Sequence, residues 1–270
     1  ERGAKVAGAK FYYLKGPLVQ LELALFQYGM QLAIKHGFTP ITVPHLVNTR
    51  TMKGTGFMAR GEEDQIYKIE GEDLNLIATA EIPITGLHAD EIIDTDKLPL
   101  LYAGLSPAYR KEAGAYGKHS RGLYRVHQFN KLELYVFCKP EESEKWHQKL
   151  VELEEEICQS LGIPYQLVRT AQGDLGQSAY KKFDIEYWSP VDQAYRELMS
   201  CSNVTDYQAR RLNIRFKDAN GQTQYVHTLN GTASAYSRMC IAIIENFQNE
   251  DGSINVPEPL RPFVGSDKIE

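Results

Sequence analysis

Two hairpin patterns limit most sharply what this chain can fold into. "QIYKIEGEDLNLIAT" reads as two strands around the turn "GED", and "NIRFKDANGQTQYVHTL" as two more around "DANG". Between them lie helical patterns. "PLVQLELALFQYGMQLAIKHG" opens with Pro17, is apolar at Leu18, Leu21, Leu25, Tyr28 and Leu32, and stops at Gly37; the strand-like "FTPITVP" follows it. "PEESEKWHQKLVELEEEICQSLG" predicts a long helix with an acidic first turn and a glycine stop, and a last helix is expected near Ala233 to Gln248. Hairpins flanked by helices favour an α+β fold with an antiparallel β-sheet over a doubly wound parallel sheet. The sequence holds neither G-x-G-x-x-G nor G-x-x-x-x-G-K-[ST], so the common parallel-sheet nucleotide folds lose support.

Composition matters chiefly for charge. The 270 residues carry 30 Lys and Arg against 35 Asp and Glu, a formal charge of -5, so the molecule as a whole is no general trap for nucleic acid. Cations nevertheless crowd one segment, "YRKEAGAYGKHSRGLYRVHQFNKLE": Arg110, Lys111, Lys118, His119, Arg121, Arg125, His127 and Lys131 lie within it, and Glu133 closes it. If "LYRVHQFNKLELYVF" is a strand, Arg125, His127, Phe129, Lys131 and Glu133 share one face, while Val126, Gln128, Leu132 and Leu134 share the other. Arg110 and Glu112 likewise share a face on a strand leading into the glycine-rich basic loop. Such a face suits a nucleoside triphosphate, because arginine offers a planar fork to phosphate oxygens and an aromatic ring can stack on a base. The same pattern also suits a hairpin edge whose charges face water, and locally both readings stand. Cys138, Cys158, Cys201 and Cys240 are scattered, without the CxxC spacing of a zinc or redox centre, and are expected to be reduced and structural. No apolar run is long enough for a membrane span, and "ERGAKVAGAK" lacks a signal-peptide core, so the expected location is cytoplasmic.

The order of motifs separates the two readings. "GLSPAYRKEAGAYGKHSRGLYRVHQFNKLE" resembles the second signature motif of class II aminoacyl-tRNA synthetases, in the form found in the seryl-tRNA synthetase family. "GFTPITVPHLV" resembles the first motif, "TAEIPI" the amino-acid-binding loop, "YRELMSCSNVTDYQARR" the "REISSCSN…DFQARR" segment, and "LNGTASAYSRMCIAIIENFQNEDGSINVPEPLRPF" the third motif and tail. The blocks follow the family's order along nearly the whole chain. The resemblance implies one class II catalytic domain over residues 1–270, with motif 1 near 17–44, motif 2 near 104–133 and motif 3 near 229–263.

It also implies roles. Arg110 would grip the α-phosphate and the amino-acid carboxylate; Glu112 would hold the adenine amino group or order the loop. Phe129 would stack on one side of adenine and Arg238 would cover the other, with Arg125 and Val126 completing the ATP site. Glu197 and Ser200 would hold Mg2+. Thr79, Glu81, Glu133 and Thr232 would surround L-serine. His119 and His127 are expected to be structural. The implied activity is ATP-dependent formation of seryl-adenylate, then transfer of serine to tRNA(Ser), by a homodimer joined around Phe38 to Pro44. Two departures are visible: Met199 replaces a serine of "REISS", and Tyr236 is bulky for a place beside adenine. The chain begins at Glu1 and shows no heptad run, so the family's N-terminal coiled-coil arm is expected to be absent and tRNA charging to be weakened. A ligase that loads a carrier protein, and a non-catalytic binding module, are the alternatives.

Overall fold

The computed structural model describes residues 2–59, 63–113 and 122–270. Lys118, His119 and Arg121 of the basic loop lie outside the described residues.

Five helices and seven strands position the site. The helices are α1 (Pro17–Lys35), α2 (Glu81–Leu87), α3 (Ser143–Leu161), α4 (Tyr207–Leu212) and α5 (Tyr236–Phe247). The strands are β1 (Thr39–Thr42), β2 (Leu100–Tyr109), β3 (Gln128–Cys138), β4 (Tyr165–Arg169), β5 (Lys181–Ser189), β6 (Ala194–Thr205) and β7 (His227–Ala235). They form one sheet in the order β1-β2-β3-β7-β6-β5-β4. Every neighbouring pair is antiparallel except β1 and β2, which run parallel with Thr39 opposite Tyr102. The sheet is therefore mixed, mostly antiparallel, and flanked by helices.

Amphipathicity decides which helix covers which face. α1 turns Leu21, Ala24, Leu25, Leu32 and Ala33 inward, and α3 buries Trp146, Leu150, Val151, Leu153, Ile157 and Leu161 before Gly162 ends it at φ 68°. Burying each large apolar side chain contributes about 1.5–3 kcal/mol. With α5, these helices pack on Leu132, Leu134 and Val136 of β3, forming the larger core. The next side chains along β3, Tyr135 and Phe137, face the opposite way and pack with Ile84 of α2 and Ala209 and Leu212 of α4.

Several boundaries differ from the sequence reading. β7 stays in the ladder through Ala235, so α5 begins at Tyr236 instead of Ala233. β3 begins at Gln128, and Arg125 and Val126 precede it in an irregular approach; the His127 N–H donates 3.1 Å to the carbonyl of Lys10, tying that approach to the N-terminal segment. The "GED" hairpin is reduced to a bridge between Lys68 and Asn75, closed by the Leu76 N–H to the Tyr67 carbonyl at 2.9 Å and the Ile69 N–H to the Leu74 carbonyl at 3.0 Å, while Asn75–Leu76 also pairs with Leu46–Val47. The "DANG" hairpin forms as read, with Arg215–Lys217 against Thr223–Tyr225.

Candidate active site

A cleft opens where β2 ends and β3 begins, and extends across β7 and β6. Arg110, just past β2, donates its backbone N–H 2.9 Å to the carbonyl of His127. Its guanidinium donates from Nε and Nη2 to the Ala78 carbonyl, 3.4 Å each, and lies 5.3 Å over the Phe129 ring. Burial lowers its pKa below the ordinary arginine value and the nearby Arg238 cation lowers it further, against the charges of Glu112, Glu197 and Glu133. Two like charges held this close to carboxylates are suited to an anionic ligand that both can share.

Glu112 turns the chain through the left-handed region at φ 48°, a conformation that costs a non-glycine residue roughly 1–2 kcal/mol. Gln65 supplies compensation: its carbonyl accepts from the Lys111 N–H at 2.9 Å, and its side chain makes paired bonds to Ala113 at 3.0 and 3.2 Å. So held, Glu112 accepts from Arg125 Nη1 at 3.3 Å. His127 serves the same scaffold, with Nδ1 near both the Tyr67 hydroxyl (3.1 Å) and the Arg110 carbonyl (2.9 Å), and its ring stacked on Phe11.

Two bulges shape the far wall. Opposite the step from Ile185 to Glu186, β6 carries an extra residue between Glu197 and Met199. Strict alternation would put Glu197 and Ser200 on opposite faces; the bulge returns both to the cleft. In β7 the register shifts between Thr232 and Ser234, which brings both Thr232 and Ala235 to the cleft. Glu197 pairs with Arg238 at 3.4 Å, and Arg238 lies 4.7 Å over Tyr124, whose hydroxyl donates 3.0 Å to the Glu197 carbonyl. Burial pushes the Glu197 carboxyl up, but Arg238, Lys182, Arg110 and Arg125 outweigh it and leave the pKa below the usual carboxylate range. An ionised carboxylate beside a hydroxyl is a donor set that fits Mg2+ when phosphate oxygens and water complete the shell. Among the described residues, no cluster of three or more His, Cys, Asp or Glu is arranged to hold a metal without such help.

The inner end of the cleft is different in kind. Thr79 donates 3.0 Å from Oγ1 to Glu133 Oε2 and accepts 3.3 Å from the Glu81 N–H. Glu133 is 1% exposed and forms a close ion pair with Lys131, itself buried. Glu81 accepts from Gln208 at 2.7 Å and Asn230 at 3.0 Å, while Gln208 also accepts from Tyr135 and Thr228. Burial first, and the Glu133 charge second, push the Glu81 carboxyl up to about 7 despite those bonds and Lys131. Of this group only Lys131 and Thr232 reach the open cleft wall; Thr79, Glu81 and Glu133 stand directly behind them.

The structure thus gathers Arg110, Glu112, Arg125, Val126, Phe129, Glu197, Ser200, Thr232 and Arg238 around one cleft. It pairs Phe129 with Arg110, and Arg238 with Tyr124, across separate ring contacts. Tyr236 does not wall the cleft: it is wholly buried in the larger core beside Phe26, so its bulk bears on α1 packing. Met199, 1% exposed, belongs to the core and also reaches the cleft floor. Sequence reasoning gave no role to Lys131, Gln65, Gln208 or Asn230. Lys131 had a signal, since alternation already put it beside Phe129 and Glu133.

Residues 66–247 match the tRNA synthetase class II core domain (G, H, P, S and T). The chain belongs to this family. A serine–tRNA ligase of Treponema denticola is 53% identical over 271 residues, covering 100% of this chain and 64% of that protein. One from Thermococcus sibiricus is 52% identical over 272 residues, covering 100% of this chain and 59% of that protein. The chain therefore spans less than two thirds of these relatives. Among solved structures, seryl-tRNA synthetase from Pyrococcus horikoshii complexed with ATP superposes with TM-score 0.96 at 50% identity, covering 99% of this chain and 60% of that one. The cytoplasmic serine–tRNA ligase from Naegleria fowleri, in complex with AMP, gives 0.93 at 40% identity, covering 100% of this chain and 64% of that one.

Proposed function

We propose that this chain activates L-serine with ATP, forming seryl-adenylate and pyrophosphate, and passes the seryl group to tRNA(Ser). The observation that carries the reading is the junction of two sites: a cationic cleft around Arg110 and Arg238, and immediately behind it the buried Glu133 with Lys131 and Thr79. Relatives 52–53% identical to this chain are serine–tRNA ligases, and two similar structures are complexes with ATP or AMP.

The chemistry follows from charge. The serine carboxylate attacks the α-phosphorus in line, the bond to the β-phosphate oxygen breaks, and pyrophosphate departs with its electron pair. No general base is required, since the nucleophile is already ionised. What the protein supplies is position and compensation for charge spreading over the phosphate oxygens. Arg110 sits where it can reach both the α-phosphate and the serine carboxylate, and Phe129 beneath it offers adenine a flat face. Arg238 neutralises charge from the opposite wall. Mg2+, held by Glu197 and Ser200, would supply further neutralisation of the phosphates. Serine's ammonium and hydroxyl suit Glu133 and Thr232, with Thr79 and Glu81 close behind; Thr79, held by the Glu81 N–H, fixes Glu133 in place.

Further parts of the reading concern assembly and place. A homodimer through the β1 edge is supported by the exposure of that strand and by an apolar groove beside it lined by Leu23, Phe26 and Leu105. Sedimentation showing a monomer at micromolar concentration would remove it. The cytoplasm is the proposed location, where tRNA is charged; no helix among the described residues is long and apolar enough to cross a membrane. For the 270 residues alone, charging is expected to be slow and salt-sensitive, because a chain of charge -5 offers tRNA few spare cations. Serine-dependent exchange of pyrophosphate into ATP tests the central step. Exchange with serine and none without an amino acid is the expected result; a folded protein with no serine-dependent exchange overturns it.

A further inference from the structure

Glu154 has no part in the chemistry above, yet it is among the most anomalous side chains in the molecule. It lies on the inward face of α3 at 0% exposure, and neither carboxyl oxygen has a well-formed hydrogen bond among the described residues. Buried polar atoms left this way are rare and call for a reason. The carboxyl faces Gly231 of β7: a Cβ built there would stand 3.1 Å from Glu154 Oε1. Glycine therefore leaves room for the acid against the β7 backbone, where the N–H of the next residue, Thr232, is the group that most favours its ionised form. Thr232 pairs with Glu133 in the ladder, walls the cleft on the opposite face, and begins the bulge that ends at Ser234.

We infer that Glu154 is a positioning residue, holding the Gly231–Thr232 backbone from behind the sheet in the bulged path that aims the Thr232 hydroxyl at the amino-acid end of the cleft. The inference rests on the proposed serine site for what Thr232 does, but not for the contact itself. Burial holds the Glu154 carboxyl well above the usual range, and the charges of Glu133 on β3 and Asp184 on β5 add to this, against the Thr232 amide and Lys131. The thiols of Cys158 on α3 and Cys201 on β6 also face it, each pushed up by burial and by the Glu154 charge. As a neutral acid, Glu154 can offer its carbonyl oxygen to one N–H without burying a charge. Glutamine would supply the same acceptor. Leucine would fill the volume and supply none.

The test compares Glu154→Gln and Glu154→Leu with the parent 270-residue chain. Hydrogen–deuterium exchange over residues 228–236 is measured together with the KM values for serine and for ATP in pyrophosphate exchange. The glutamine variant is expected to match the parent in both. The leucine variant is expected to melt no lower than the parent, since removing the desolvation cost of a buried acid offsets the lost contact to the backbone. Its protection at the Thr232 amide should fall at least tenfold, with KM for serine raised about tenfold and KM for ATP unchanged. Gly231→Ala, which crowds the same contact, should reproduce the loss and carries the test if the leucine variant does not fold. Parent-level protection in folded Glu154→Leu or Gly231→Ala would overturn the inference, as would equal changes in both KM values. If the parent itself shows no serine-dependent exchange, the functional reading fails, while the protection measurement still decides the contact.

Discussion

The two ends of the cleft are built on opposite plans. At the outer end, proposed above for the phosphates, Arg110, Glu112, Arg125, Glu197 and Arg238 are charged, partly exposed, and held by long contacts of 3.3 to 3.4 Å to one another or to backbone carbonyls. At the inner end, proposed above for the amino acid, Glu81, Lys131, Glu133, Gln208 and Asn230 are buried and joined by a dense hydrogen-bond network, with contacts as short as 2.6 Å from Tyr135 to Gln208. The first arrangement tolerates a ligand that arrives with its own charge and water. The second admits only a ligand that satisfies groups already desolvated, because leaving them unpaired is expensive. Binding strength and selectivity therefore sit in different places, and the larger share of stability is tied to the inner one.

Glu133→Ala should break the inner end most severely. It leaves Lys131 as a buried unpaired cation, so a loss of about 3–5 kcal/mol in denaturant melts is expected together with loss of serine exchange. An unchanged melt would show that the inner network does not carry stability. Arg110→Ala probes the outer end and should separate the two properties: exchange falls about a thousandfold while the melt shifts little, because the contacts that it loses are partly exposed and long. Near-normal exchange in that folded variant would remove Arg110 from its assigned role.

pH provides a third contrast. The Glu81 carboxyl sits at about 7 in the folded protein against an ordinary 4.5, so the native state holds a proton that the unfolded chain has released. Stability from this group is full below about 4.5 and declines as pH rises through 7, by on the order of 3 kcal/mol in total. Glu197 has the opposite sign: its carboxyl lies below the ordinary value, so its contribution is present above that value and is lost on acidification. Melts of Glu81→Gln against the parent between pH 5 and 8 should show the parent's downward slope flattened; identical slopes would mean that Glu81 is not the group responsible. The smallest effect is expected for Phe129→Leu, which keeps the buried volume but loses the flat ring under Arg110. KM for ATP should rise severalfold, in line with about 0.5–1.5 kcal/mol for a ring contact, and KM for serine should not move.

The same contrast explains what was legible in the sequence. The outer end is built from short local segments whose residue types announce their chemistry: Arg110 and Glu112 beside the basic loop, Phe129 at strand spacing, Glu197 and Arg238 in recognisable blocks. The inner network joins Thr79, Gln208 and Asn230 from three distant segments, and no local pattern marks a glutamine on α4 as the partner of Glu81. Bulges were equally hidden, since period-two reasoning separates Glu197 from Ser200 and nothing in "RELMS" signals the extra residue. The mostly antiparallel sheet followed from the hairpins. The parallel pairing of β1 did not, because it is set by the long crossover through residues 43–99 that returns the chain beside β1 in the same direction.

The most direct measurement is the ratio of kcat/KM for serine over alanine in pyrophosphate exchange with the parent chain. Alanine differs by one hydroxyl, the group that the proposed site at Glu133 and Thr232 would hydrogen-bond. A site of this kind is expected to reject it by about 10⁴-fold or more. Robust serine exchange with alanine within about tenfold of it would contradict the account, because the buried network would then be scaffold alone and selectivity would have to arise elsewhere.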